Sequence, residues 1–267
     1  MHKKSLQLCG FACVMGIFAA FARWIQNQAA FEPETLLATP HSPWSYSVLF
    51  LLLLTAAALF LWVRTLKNLP QPQDYPRAVV LEDNIFSIMG TVISLVLALG
   101  AALTLYHAFS LYVSSPPGTA LRSSSIFYLI LGILAVICAI AVFAFLHNGK
   151  SKESSIRGKL GSVIIVAFIC FWLVSSYKSS YSDPVIWHFA IRLIAISVSL
   201  LAFYFIAGFV YAKPKPLTTL YFSLLGAFLC IVSLADNTFP GEQILFLAFA
   251  ALQLLISYAM ISRMTEE

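Results

Sequence analysis

Charge is what this chain has least of. Only 10% of its 267 residues are Asp, Glu, Lys or Arg, against roughly 25% in ordinary soluble domains, while 60% are hydrophobic. A water-exposed domain of this size cannot hide so much apolar surface in one core, so a soluble fold is excluded. Cysteine is scarce and badly placed for crosslinking. Cys9, Cys13, Cys138, Cys170 and Cys230 are odd in number and fall inside apolar stretches, so no disulfide framework is implied. Cys9 and Cys13 are one helical turn apart, but no His or second pair is spaced to join them. Small-residue packing is a better reading than a metal pair. Catalytic signatures are missing too. There is no His-Glu-x-x-His, no Gly-x-Ser-x-Gly, no Walker motif and no intramembrane Asp pair, so the expectation is a protein that is not an enzyme and uses no cofactor or metal.

What is present is long apolar runs. Eight of them cover Leu6–Ala22, Trp44–Val63, Ile85–Tyr106, Ile126–Leu146, Leu160–Tyr177, Ile186–Tyr211, Leu217–Leu234 and Ile244–Ile261. None contains Asp, Glu or Lys, and only the sixth contains Arg. A helix needs about 20 apolar residues to cross a hydrocarbon core of roughly 30 Å. Barrel strands would be about 10 residues long and alternate in polarity, which these runs do not. The expected fold class is all-α, a polytopic transmembrane helical bundle of eight helices in one domain, 1–267. The net charge of +5 and pI near 9.0 then reflect topogenic residues and contact with the anionic lipid bilayer, not a nucleic-acid surface.

Orientation follows from where the cations fall. With the N-terminus inside, Lys3, Lys4, Arg64, Lys67, Arg77, Lys150, Lys152, Arg157, Lys159, Lys213, Lys215 and Arg263 lie on the cytoplasmic side. Arg23, Arg122, Lys178 and Arg192 lie outside. Twelve against four predicts a cell-membrane protein with both termini cytoplasmic. Met1-His2-Lys3-Lys4 before an apolar run, with Ala20-Phe21-Ala22 after it, is also how a cleavable signal peptide begins. The small-residue site is poor, however, and Arg23-Trp24 reads as an interfacial anchor. The Leu6-Gln7-Leu8-Cys9 match to a lipoprotein signal is weaker still.

Two halves, 1–147 and 159–267, are joined by the polar linker Asn148–Ser155, cytoplasmic under this topology. They share features expected of a duplication. Ser42-Pro43-Trp44 opens the second span and Asp183-Pro184-Val185-Ile186-Trp187 the sixth, each a capping oxygen followed by Pro at the first helical position. Lys67-Asn68-Leu69-Pro70 and Lys213-Pro214-Lys215-Pro216 close the two spans alike. Four spans per half would make the repeat parallel, although Pro at helix starts recurs in any polytopic protein.

Few polar residues are placed to carry function. Arg192 is the one charge inside a span, and His188, four residues earlier, shares its helical face. With Arg23 at the outer end of the first span they could form a cationic pocket, open to the outside, for a small anionic solute. The plain alternative is that Arg192 snorkels to the headgroups or pairs with a loop carboxylate. Glu32, Glu34, Asp183, Asp236 and Glu242 are the outer-loop carboxylates on offer; Glu242 also suits a helix N-terminus. Gly90, Ser94, Ala98 and Ala102 form a small-xxx-small ladder for close helix approach. Gln253 is an amide near a span centre that needs an interhelical partner, as a packing clamp or a substrate contact.

The strings Ala29-Ala30-Phe31-Glu32-Pro33-Glu34-Thr35, Pro40, Ser42-Pro43 and Asp183-Pro184 resemble segments of uncharacterised multi-pass bacterial membrane proteins. The resemblance covers two short outer segments and implies no activity. Two function classes stand: a permease-like or ligand-sensing protein for a small solute, and a non-catalytic subunit or assembly component contacting other membrane subunits through the inner loop Pro70–Pro76 or its helices.

Overall fold

The computed structural model of the chain describes residues 3–31, 39, 42–69, 84–116, 119–147, 154–180, 185–211 and 213–266. Among them run eight long α-helices: α1 (Lys3–Ala29), α2 (Pro43–Thr65), α3 (Asn84–Ser114), α4 (Ala120–His147), α5 (Ser154–Ser180), α6 (Ala190–Val210), α7 (Pro216–Ser233) and α8 (Pro240–Glu266). There is no β-strand among the described residues. All eight helices are long and apolar enough to cross a bilayer. The chain is an integral, multi-pass helical membrane protein. Large apolar side chains such as Phe50, Leu53 and Leu61 on α2 stand exposed, which lipid tolerates and water does not.

Proline sets several helix starts. Pro43, Pro216 and Pro240 open α2, α7 and α8, where the missing N–H would have had no partner. At the far ends of α2 and α8 from their prolines, Arg64 and Arg263 sit in the last turns, the favourable end of the helix dipole for a cation.

Helix α8 is the centre. It packs against α3, α7 and α1. Trp172 and Phe168 of α5 close on its Phe246 and Phe249 with ring centroids 4.7–5.8 Å apart, and Phe203 of α6 meets Phe249 edge-on at 5.5 Å. Helices α3 to α8 form a closed sequence of neighbours, α3 returning to α8, while α1 and α2 lie outside against α7. Lipid tails are as apolar as Leu, so close approach and dispersion hold such helices together. Gly241 shows the requirement. A Cβ there would meet Thr104 of α3 at 2.7 Å, so only glycine lets the start of α8 nest on α3.

The ladder on α3 serves the same end. Gly90 faces Leu146 of α4, buried Ser94 returns its hydroxyl to the Gly90 carbonyl at 2.9 Å, and Ala98 packs against the main core. The neighbour relations lend the duplication no support. Helices α6 and α7 pack side by side, while α2 and α3, their counterparts, share at most marginal contact among the described residues. The paired Asp183-Pro184 signal and the linker Asn148–Glu153 lie outside the described residues.

Two spans differ from their sequence boundaries. Helix α1 continues seven residues past Ala22 to Ala29, through polar residues that find protein partners. The sixth span does not start as one helix at Ile186. A 3-10 turn covers Ile186–His188, Phe189 breaks it, and α6 begins at Ala190. The Trp187 carbonyl, which a continuous helix would bond to Ile191, instead accepts from Arg23.

Candidate functional site

The short helix α7 creates a depression. Gly226 of α7 abuts the Gln253 side chain of α8. From that level α7 continues only seven residues outward to Ser233, whereas α8 continues thirteen to Pro240. The end of α7 therefore lies roughly 9 Å deeper in the bundle. Its last carbonyls are taken up in tight turns, Leu234 N–H to Ile231 and Asp236 N–H to Ser233, and residues 234–239 lead from there to the start of α8. Above them opens a cavity of about 560 Å³, within the usual size for a small-molecule site. By the alternation of the helices it sits at the end that the charge distribution assigns to the outside.

The cavity has aromatic walls. His107 of α3 stacks on Phe239, centroids 4.4 Å apart and nearly parallel, and Tyr128 of α4 meets both rings edge-on. A second aromatic pair in the lining is Phe31 tilted against His188 at 4.5 Å. Arg192, Asp236, Glu242, Asn27, Asn237 and Thr238 supply its polar groups.

Two ion pairs underlie this region. Arg23 is fully buried and each nitrogen of its guanidinium has an acceptor. Nε donates to Asp236 Oδ1 at 2.8 Å, Nη1 to Gln26 Oε1 at 2.8 Å and Nη2 to the Trp187 carbonyl at 2.6 Å. Gln26 passes the network to Ser45 of α2 at 3.0 Å. Asn27 ties the Ala235 carbonyl at 2.9 Å. Arg23 thus joins α1, the α7–α8 turn and the entry to α6. Burial pushes the Asp236 carboxyl up from its ordinary value, and the adjacent Arg23 works against that shift.

The second pair is looser. Arg192 Nη1 reaches Glu242 Oε2 at 3.4 Å, and Nη2 donates to Ser180 Oγ. Its buried Nε has no partner among the described residues. Glu242 is better served, because its Oε1 accepts from Trp172 Nε1 at 3.2 Å and Ser176 Oγ at 2.9 Å. A guanidinium carries five N–H donors in a fork suited to a carboxylate or phosphate. Every nitrogen of Arg23 meets an acceptor, whereas Nε of Arg192 meets none among the described residues.

The structure thus brings Arg192 and His188 together on one cavity, though not on one helix, since His188 belongs to the 3-10 turn. Arg23 does not line the cavity. It stands behind Asp236, which neutralises it. Arg192 turns inward, with 13% of its side chain exposed, and does not reach for headgroups. Sequence reading missed His107, Tyr128 and Phe239 as wall residues. Asp236 and Glu242 were legible as outer carboxylates but not as members of buried pairs. Glu32, Glu34 and Asp183 lie outside the described residues.

Gln253 is fully buried near the centre of α8 and far from the cavity lining. Its Nε2 donates to Ser199 of α6 at 2.8 Å, and Ser199 meets Cys230 of α7 at 3.3 Å. Its Oε1 presses on Gly226, where a Cβ would stand 2.1 Å away. The amide clamps three helices. Among the described residues no three His, Cys, Asp or Glu side chains gather as metal ligands. Compared with family models, curated proteins and solved structures, the chain matches none.

Proposed function

We propose that the chain is a permease-like or ligand-sensing membrane protein that binds a small solute in the cavity beside Arg192, with an anionic group of the solute on the Arg192 guanidinium. One observation carries the reading. Arg192 lines a cavity of about 560 Å³, and its buried Nε has no acceptor among the described residues, bonding capacity that suits a planar anion once the side chain turns toward it. His188 flanks it, and Arg23 acts behind it by fixing Asp236 and the Trp187 carbonyl. The gathering of Lys and Arg at the opposite end supports a cell-membrane location with cytoplasmic termini and a cavity open to the exterior.

The test is a thermal-shift screen of the purified chain in lipid nanodiscs against small carboxylates, phosphates and amino acids. At least one solute raises the Tm of the wild type and fails to do so for Arg192→Ala. No response from any solute, or an equal response in the variant, overturns the reading. Uptake into proteoliposomes then separates transport from sensing. The alternative role, a subunit or scaffold in a membrane complex, draws on the inner loop Pro70–Pro76, which lies outside the described residues.

A further inference from the structure

We infer that the ligand of this cavity is a zwitterion of amino-acid type, its carboxylate on Arg192 and its ammonium group on Asp236. This rests on the solute-binding reading above and narrows it.

Charge balance is the first reason. Among the described residues the fixed charges at the site are two guanidiniums, Arg23 and Arg192, and two carboxylates, Asp236 and Glu242, already joined in pairs. A lone anion or a lone cation drawn below the surface upsets that balance, and uncompensated buried charge is costly. A zwitterion brings none. The second reason is that the unused bonding capacity comes in both signs. Arg192 Nε is a donor without an acceptor, and Asp236 Oδ2 is a carboxylate oxygen without a donor, among the described residues. Both residues line the same cavity. Both atoms are shielded from water, where an unmade bond to a charged group costs most. Side-chain rotation on binding, a common adjustment, brings them to the ligand. Glu242 does not compete for the ammonium group, since three donors already hold its oxygens. The third reason is the walls. The lining includes the His107–Phe239 stack with Tyr128 and the Phe31–His188 pair, which suits an apolar or aromatic side chain carried beside the charged head of the ligand.

The test is read first on the wild-type chain, where its outcome does not depend on a variant folding. Binding of L-phenylalanine, 3-phenylpropionate and 2-phenylethylamine is measured in nanodiscs by thermal shift and calorimetry, with the other amino acids and glycine betaine alongside. Phenylalanine, or another zwitterion of the set, binds at least about tenfold more tightly than its analogue lacking either charge, the factor that corresponds to about 1.4 kcal/mol. Asp236→Asn, which keeps a side-chain oxygen for Arg23, lowers the affinity for the zwitterion relative to that for 3-phenylpropionate, and an unaltered ratio of the two affinities overturns the inference. Equal binding of 3-phenylpropionate overturns the zwitterion and leaves the anion site standing. Binding of anions or uncharged polyols but of no zwitterion does the same to the inference. Silence from every solute removes the solute-binding reading as well.

Discussion

Arg23 and Arg192 lie at the same end of one bundle, and their partners Asp236 and Glu242 are six residues apart in the chain. Arg23 is sealed from solvent and bonded in three directions at 2.6–2.8 Å. Arg192 is partly open, holds its carboxylate at 3.4 Å and leaves Nε bare. The same pair of residue types thus serves two ends. An arginine whose three nitrogens all have acceptors fixes where three segments meet, and one whose Nε has none, beside a cavity, keeps a bond for something else. Saturation of the guanidinium, more than its burial, separates a clamp from a receptor.

The largest expected effect tests the clamp. Arg23→Ala leaves Asp236 buried without its counter-charge and lowers the unfolding free energy in mild detergent titrated with SDS by about 3–5 kcal/mol. Arg192→Ala costs less, about 1.5–3 kcal/mol, because Glu242 retains Trp172 and Ser176. A reversed order of these two losses breaks the comparison. Gly226→Ala drives a methyl into Gln253 Oε1 and costs about 1–3 kcal/mol by overpacking, with solute binding at the cavity unaffected. Gln253→Met removes the bond to Ser199 for about 0.6 kcal/mol, the usual worth of an interhelical bond in a membrane. A Gln253 variant that abolishes a solute response would move the site to the bundle centre.

The spans were legible because hydrophobic length is a strong local signal, and so was the start at Pro43, where proline fixes the backbone. What was not legible depended on distance in the chain. The continuation of α1 through Arg23 and Gln26 needs Asp236, 213 residues away. The late start of α6 needs Arg23 to take the Trp187 carbonyl, which outweighs the Pro184 signal. The sequence spacing of His188 and Arg192 implied one helical face. They meet instead across a break, because the cavity collects residues from an entry turn as well as a helix. The outer carboxylates could be counted against the outer cations, but which acid met which base waited on the fold. The polar character of Gln253 did announce a partner, though not that Ser199 would supply it. His107, Tyr128 and Phe239 carried no signal, since aromatic residues near span ends are ordinary.

The contrast between an open arginine and a closed one is tested most directly by thiol accessibility in intact cells. In a chain whose five native cysteines are replaced, His107→Cys stands on the cavity wall about seven residues inside the end of α3, roughly 10 Å deep. Ala22→Cys stands beside Arg23 in the core. A charged, membrane-impermeant thiol reagent added outside labels His107→Cys and leaves Ala22→Cys untouched. Labelling of His107→Cys only after the cells are permeabilised, or equal labelling at the two positions, would contradict the account.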